Sequence, residues 1–78
     1  MSKRYEKSLN KNVADFEYNG DKYQVDLLLD SISNGYQSYD IFKTTYDKKG
    51  LWFGGMTLEE GDYAPSELIE KVKNEFFN

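Results

Sequence analysis

Asn19-Gly20 and Asn34-Gly35 each stand between runs rich in apolar and aromatic residues. Both central residues of a type I′ turn need positive φ, which asparagine and glycine adopt at low steric cost. Such a pair between alternating runs therefore predicts a two-residue β-hairpin. Around the first turn this register sets Tyr18 opposite Asp21, Glu17 opposite Lys22, Phe16 opposite Tyr23 and Ala14 opposite Val25. Opposite charges then share one face and apolar groups the other, so side-chain pairing supports what the turn dictates.

The same rule applied to Asn34-Gly35 pairs Leu27 with Phe42, Tyr23 with Tyr46, Leu28 with Ile41 and Asp26 with Lys43. It makes a third strand of Tyr36 to Tyr46. Asp47-Lys48-Lys49-Gly50 reads as a third turn, with Gly50 at a left-handed position. Strand four runs from Leu51 to Leu58, with Tyr46 opposite Leu51, Thr45 opposite Trp52, Thr44 opposite Phe53 and Ile41 opposite Met56. Gly54-Gly55 marks a bulge or bend in it, because glycine weakens a strand interior.

Beyond an acidic loop from Glu59 to Ala64, Pro65 suits the first position of a helix, where its missing N–H leaves nothing unpaired. Leu68, Ile69, Val72 and Phe76 recur at helical spacing through residues 66–77, while Glu67, Glu70, Lys71, Lys73 and Asn74 face water. Glu67 and Lys71 form an i,i+4 pair in the favourable order. The predicted fold is thus α+β: a four-stranded antiparallel meander with one C-terminal α-helix packed on one face, β-β-β-β-α. Residues 13–78 form this single domain, and residues 1–12 are a basic arm whose anchors are Tyr5 and Leu9.

These registers predict a surplus of apolar surface. One face collects Ala14, Phe16, Tyr23, Val25, Leu27, Phe42, Tyr46, Leu51 and Phe53 and takes the helix. The other mixes Glu17, Lys22, Asp26 and Lys43 with an apolar cluster of Leu28, Tyr39, Ile41, Trp52 and Met56. A single amphipathic helix covers only one face. Two arrangements would hide the second within the chain: the arm folds across it, or strand four shifts by one residue and takes Trp52 into the core. Otherwise the cluster is an interface, since Trp, Tyr and Met are enriched in interface cores.

Composition narrows the chemistry. Histidine and cysteine are both absent, which removes the usual neutral-pH base, the commonest metal ligand, thiolate zinc sites and disulfides. No apolar run approaches the length of a membrane span, and the N-terminal residues are polar rather than an apolar signal core. The expected location is the cytoplasm, where a small domain does without disulfide staples. With 78 residues and a core supplying about 3–5 kcal/mol, little stability is left over for a strained active site. No catalytic residue, metal ligand or cofactor is assigned, and a non-enzymatic role is expected.

Three motif resemblances fail on inspection. Asp30, Asn34 and Gly35 occupy the first, fifth and sixth places of a calcium loop, but Ile32 and Ile41 fall where ligands are required. Gly50 to Gly55 encloses Leu51, Trp52 and Phe53 and lacks the Lys-Ser/Thr of a phosphate loop. Glu59, Glu60 and Asp62 read as a solvated loop at a helix entrance rather than cation ligands.

Charge is divided unevenly. Lys3, Arg4, Lys7 and Lys11 oppose only Glu6 in the first eleven residues, whereas residues 12–78 hold 13 acidic against 6 basic side chains. The body repels nucleic-acid phosphate, so direct binding there is disfavoured. Instead, Asp15, Glu17, Asp21, Asp26, Asp30, Glu59, Glu60 and Asp62 form a candidate acidic surface for a basic protein. The expected function is a small acidic protein-binding module: an inhibitor or nucleic-acid mimic of the kind found in phages and prophages, which the Lys, Asn, Tyr and Asp usage suggests. The alternatives are a structural protein that homodimerises through the face around Trp52, and a weak single-strand nucleic-acid binder using the basic arm, with Trp52 and Tyr39 as stacking groups.

Overall fold

The computed structural model describes residues 10–32 and 34–77. Four antiparallel strands, β1 (Asn10–Tyr18), β2 (Asp21–Leu28), β3 (Tyr36–Lys43) and β4 (Leu51–Glu59), lie side by side in chain order, and one helix, α1 (Pro65–Phe76), follows. This is the β-β-β-β-α meander that the turn signals predict. Strand β1 starts at Asn10, so the last residues assigned to the arm belong to the sheet. The rest of the arm, with Tyr5 and Leu9, lies outside the described residues.

The first hairpin has the register dictated by Asn19-Gly20. Tyr18 faces Asp21, Glu17 faces Lys22, Phe16 faces Tyr23 and Ala14 faces Val25. Asn19 and Gly20 take φ of 52° and 85°, as a type I′ turn requires. A bulge between Asn12 and Ala14 then leaves Val13 unpaired.

The second connection differs from the expected two-residue turn. Leu29–Ser31 form one turn of 3-10 helix, so β2 ends at Leu28 and the link to Tyr36 is longer. Asn34 and Gly35 do take positive φ, 55° and 83°, but only as the exit from that link. The extra residues slide β3 by three positions. Val25 faces Ile41, Leu27 faces Tyr39 and Asp26 faces Asp40, in place of Leu28 with Ile41, Leu27 with Phe42 and Asp26 with Lys43. An odd slip exchanges the faces of every side chain on the strand. Tyr39 and Ile41 therefore point under the helix, 2% and 0% exposed.

Strand β3 stops at Lys43 rather than Tyr46. Thr44 N–H donates to the Lys22 carbonyl at 2.8 Å, Lys22 N–H donates to Thr45 Oγ1 at 2.6 Å, and Asp47 accepts N–H bonds from Lys49 and Gly50. These bonds hold residues 44–50 as a loop. Tyr39 consequently faces Met56, Ile41 faces Gly54 and Phe42 faces Trp52, with a bulge at Phe53. The expected pairs Ile41–Met56, Thr45–Trp52, Thr44–Phe53 and Tyr46–Leu51 do not form. The bulge keeps Phe53 on the helix side and leaves Trp52 on the other. Tyr46 and Leu51, expected under the helix, are exposed.

The core lies between sheet and helix. Ala14, Tyr23, Val25, Tyr39 and Ile41 of the sheet enclose Leu68 and Val72 of α1, with Leu27, Met56, Leu58, Ile69 and Tyr63 packed around them. Phe77 closes one end, stacked on Tyr18 at 4.3 Å and on Phe53 at 5.6 Å. Gln37 closes the other: its Nε2 donates to Tyr39 Oη and to the Gly61 carbonyl, and its Oε1 accepts the Gly61 N–H. A buried amide that satisfies both strand and loop fastens the entrance of the helix to the sheet.

Candidate functional site

Strand alternation puts Asn12, Asp15 and Glu17 of β1, Lys22, Gln24, Asp26 and Leu28 of β2, Ser38, Asp40 and Phe42 of β3, and Trp52, Gly55 and Thr57 of β4 on the face away from α1. Across its middle runs a row of register partners: Asn12, Asp26, Asp40, Gly55.

Asp26 is the least expected member. It lies on a central strand, on the face away from α1, and is only 2% exposed. Its Oδ1 accepts from Gln24 Nε2 at 2.9 Å and from Asn12 Nδ2 at 3.3 Å. The same Asn12 amide reaches Asp15 Oδ1 at 3.1 Å and the Val25 carbonyl at 3.2 Å. Two amide side chains thus converge on a buried carboxylate whose cross-strand partner, Asp40, is also acidic. Such like-charge pairs destabilise a sheet unless donors compensate.

Asp40 is engaged from the other side. Trp52 Nε1 donates to its Oδ1 at 3.0 Å. The indole reaches across Gly55, where a Cβ would lie 3.7 Å from Cζ2 of Trp52. That is ordinary contact distance, so it is the hydrogen bond that fixes the ring's edge. Trp52 is still 63% exposed. The face therefore presents a large aromatic ring in a held orientation beside a carboxylate.

The predicted apolar cluster is divided by the fold. Trp52 and Leu28 are on the open face as expected. Tyr39 and Ile41 are buried in the core, and Met56 packs against it from the helix side. The reason is the odd slip of β3 set by the 3-10 turn, and those three side chains are not available to a partner. Burial pushes the Tyr39 hydroxyl above its ordinary value of 10.0, against the lowering effect of the Gln37 hydrogen bond and with a small upward push from Tyr63.

The predicted acidic surface is not continuous. Asp15, Glu17 and Asp21 lie toward the β1–β2 turn, where Asp21 pairs with Lys43 at 3.4 Å. Asp30, Glu59, Glu60 and Asp62 lie at the opposite end, where Glu60 N–H donates to the Gly35 carbonyl and joins the two loops. Asp26 is buried between the two groups. Among the described residues no group of three or more acidic side chains is placed to hold a metal ion, and no helix is long and apolar enough to cross a membrane.

Sequence reasoning did not single out Asp40, Asn12 or Gln24. Their signal is relational: Asp40 matters because it meets Asp26 and Trp52, and that depends on the length of the β2–β3 link. Comparison of the chain with family models, with curated proteins and with solved structures finds no match.

Proposed function

We propose that this chain is a non-enzymatic protein-binding module, acting in the cytoplasm, that meets a basic partner through the sheet face opposite α1. One observation carries this reading. The largest side chain in the protein stands 63% exposed on that face, its edge held by Asp40. Tryptophan is enriched at binding hot spots, and an exposed one held in place has already lost part of the conformational freedom that association removes. The charges around it favour a basic partner: Asp15, Glu17 and Asp40 share the face with Lys22 as its strand cation. An inhibitor or nucleic-acid mimic fits this character, since a basic protein surface is where such charge steers association.

Homodimerisation through the same face is the second reading, favoured by Trp52 itself, a large aromatic side chain exposed there. Charge weighs against it, because a two-fold contact brings the carboxylates of both copies together.

Site-specific photocrosslinking in host cells tests the reading. A photoreactive side chain at Thr57, exposed on the open face, should give a discrete adduct that high salt abolishes. The same group at Glu70, exposed on α1, should give none. Adducts from Glu70 alone would move the interface to the helix, and a Thr57 adduct of twice the chain mass would favour the homodimer.

A further inference from the structure

The geometry points to an arginine side chain of the partner as the group that Trp52 and Asp40 receive. This assignment rests on the sheet-face reading above and names the chemistry of its central contact.

The indole N–H of Trp52 is already donated to Asp40 Oδ1 at 3.0 Å, so the ring edge is satisfied and the exposed part of the residue is mainly the aromatic surface. That surface carries the negative lobe of the ring quadrupole and attracts a cation placed over it. The Asp40 carboxylate is held at the edge of the same ring. A cation over the indole therefore lies within reach of a carboxylate as well as a π face.

Arginine fits this pair better than lysine. Its guanidinium is planar, stacks flat on an aromatic ring and still directs N–H donors sideways toward a carboxylate. An ammonium is a compact, strongly hydrated charge that does not stack. The surroundings agree in sign: Asp15, Glu17, Asp26, Asp40 and Glu59 share the face by strand alternation, against Lys22 among its strand residues. A second copy of this acidic chain is a poorer occupant for the same reason.

Trp52 is the only tryptophan, so its indole N–H gives one unambiguous resonance in a proton–nitrogen correlation spectrum. The full chain is titrated at low salt with capped tetra-arginine, tetra-lysine and oligothymidylate. The arginine peptide should move the Trp52 indole and Gly55 amide signals, with an affinity about threefold or more above the lysine peptide. Asp40→Asn should weaken arginine binding by about threefold, whereas Glu70→Gln, the same charge change on the helix, should leave it within about 1.5-fold. Trp52→Leu, followed at the Gly55 amide, should erase the difference between arginine and lysine.

Equal affinities for the two peptides, or equal losses in Asp40→Asn and Glu70→Gln, would reduce the effect to general electrostatics and overturn the assignment. Tighter binding of oligothymidylate at the same resonances would overturn it in favour of base stacking. A Thr57 crosslink that survives either result leaves the sheet-face reading standing without arginine, while loss of the crosslink removes the reading itself.

Discussion

A methyl group built on Gly54 meets Cε1 of Phe76 at 2.7 Å, closer than real side chains tolerate, while one built on Gly55 meets its neighbours at 3.4 Å or more. Gly54 lets the Phe76 ring settle against the strand, inside a cluster where Phe53 and Phe76 pack edge to face at 5.6 Å. Gly54→Ala should therefore destabilise by roughly 1–3 kcal/mol, since the ring shifts only by disturbing its packed neighbours. Gly55→Ala faces the open side and should stay within about 0.5 kcal/mol. Thermal unfolding of the two variants checks the contrast, and equal losses would refute it. Asp26 offers a test of opposite sign. Replacing it with Asn keeps an oxygen for Gln24 and Asn12 to donate to and removes the charge opposite Asp40. Asp26→Asn should leave stability unchanged or raise it by up to about 1 kcal/mol, and urea unfolding would show this as a higher midpoint at unaltered slope.

The helix carries its own unused stabilisation. Ala64 occupies the N-cap in extended conformation, φ −70° and ψ 152°, and Glu67 Oε1 accepts its N–H at 2.8 Å. That is half of a capping box, and alanine has no oxygen for the other half. Glu67 is thereby drawn to the cap, and Lys71 lies 5.7 Å from the Tyr63 ring, so the i,i+4 pair expected from sequence gives way to two other contacts. Ala64→Ser adds a side-chain acceptor for the first-turn N–H groups, of which Glu67's now reaches the Ala64 carbonyl at 3.0 Å, and should add about 0.5–2 kcal/mol, read as a raised melting temperature; no gain would mean that the carbonyl bond already satisfies that donor. At this scale the sequence was most legible where a turn is short. Asn19-Gly20 fixed the β1–β2 register, and Pro65 with the 3.6-residue apolar spacing located α1. The β2–β3 link was illegible because Asn34-Gly35 has the composition of a two-residue turn whether or not a 3-10 turn precedes it. Nothing local in Leu29–Ser31 announces that it leaves the strand; burying Tyr39 and Ile41 under the helix is a tertiary preference that overrides the turn cue.

At the scale of the whole molecule, α1 covers one face of the sheet and Trp52 stands exposed on the other, and both consequences can be measured. On the covered side, the Tyr39 hydroxyl lies above its ordinary value of 10.0 chiefly through burial. A group whose folded value is raised contributes stability in full below its unfolded value and loses it as pH climbs through the folded one. The stability gap between the native chain and Tyr39→Phe should therefore narrow as pH rises from about 9 to about 11, and a gap that widened would refute the sign. On the side away from α1, the expected register set Trp52 there while a one-residue slip would have taken it into the core, and neither reading told which side chains surround it. That depended on β3, and one slipped strand exchanged Ile41 and Tyr39 for Asp40 and Phe42. The exchange makes the face more acidic and less apolar, with a consequence for self-association. Two copies meeting through this surface must bring Asp15, Glu17 and Asp40 against their own images, while Trp52 supplies the attraction. At low salt the repulsion should dominate, and light scattering should return the mass of a single chain. At about 1 M salt the screening length falls to roughly 3 Å, so the aromatic contacts act almost alone. Any association should then appear, and Trp52→Asp should abolish it. A stable dimer at low salt that Trp52→Asp dissociates would mean that the face is built to meet itself.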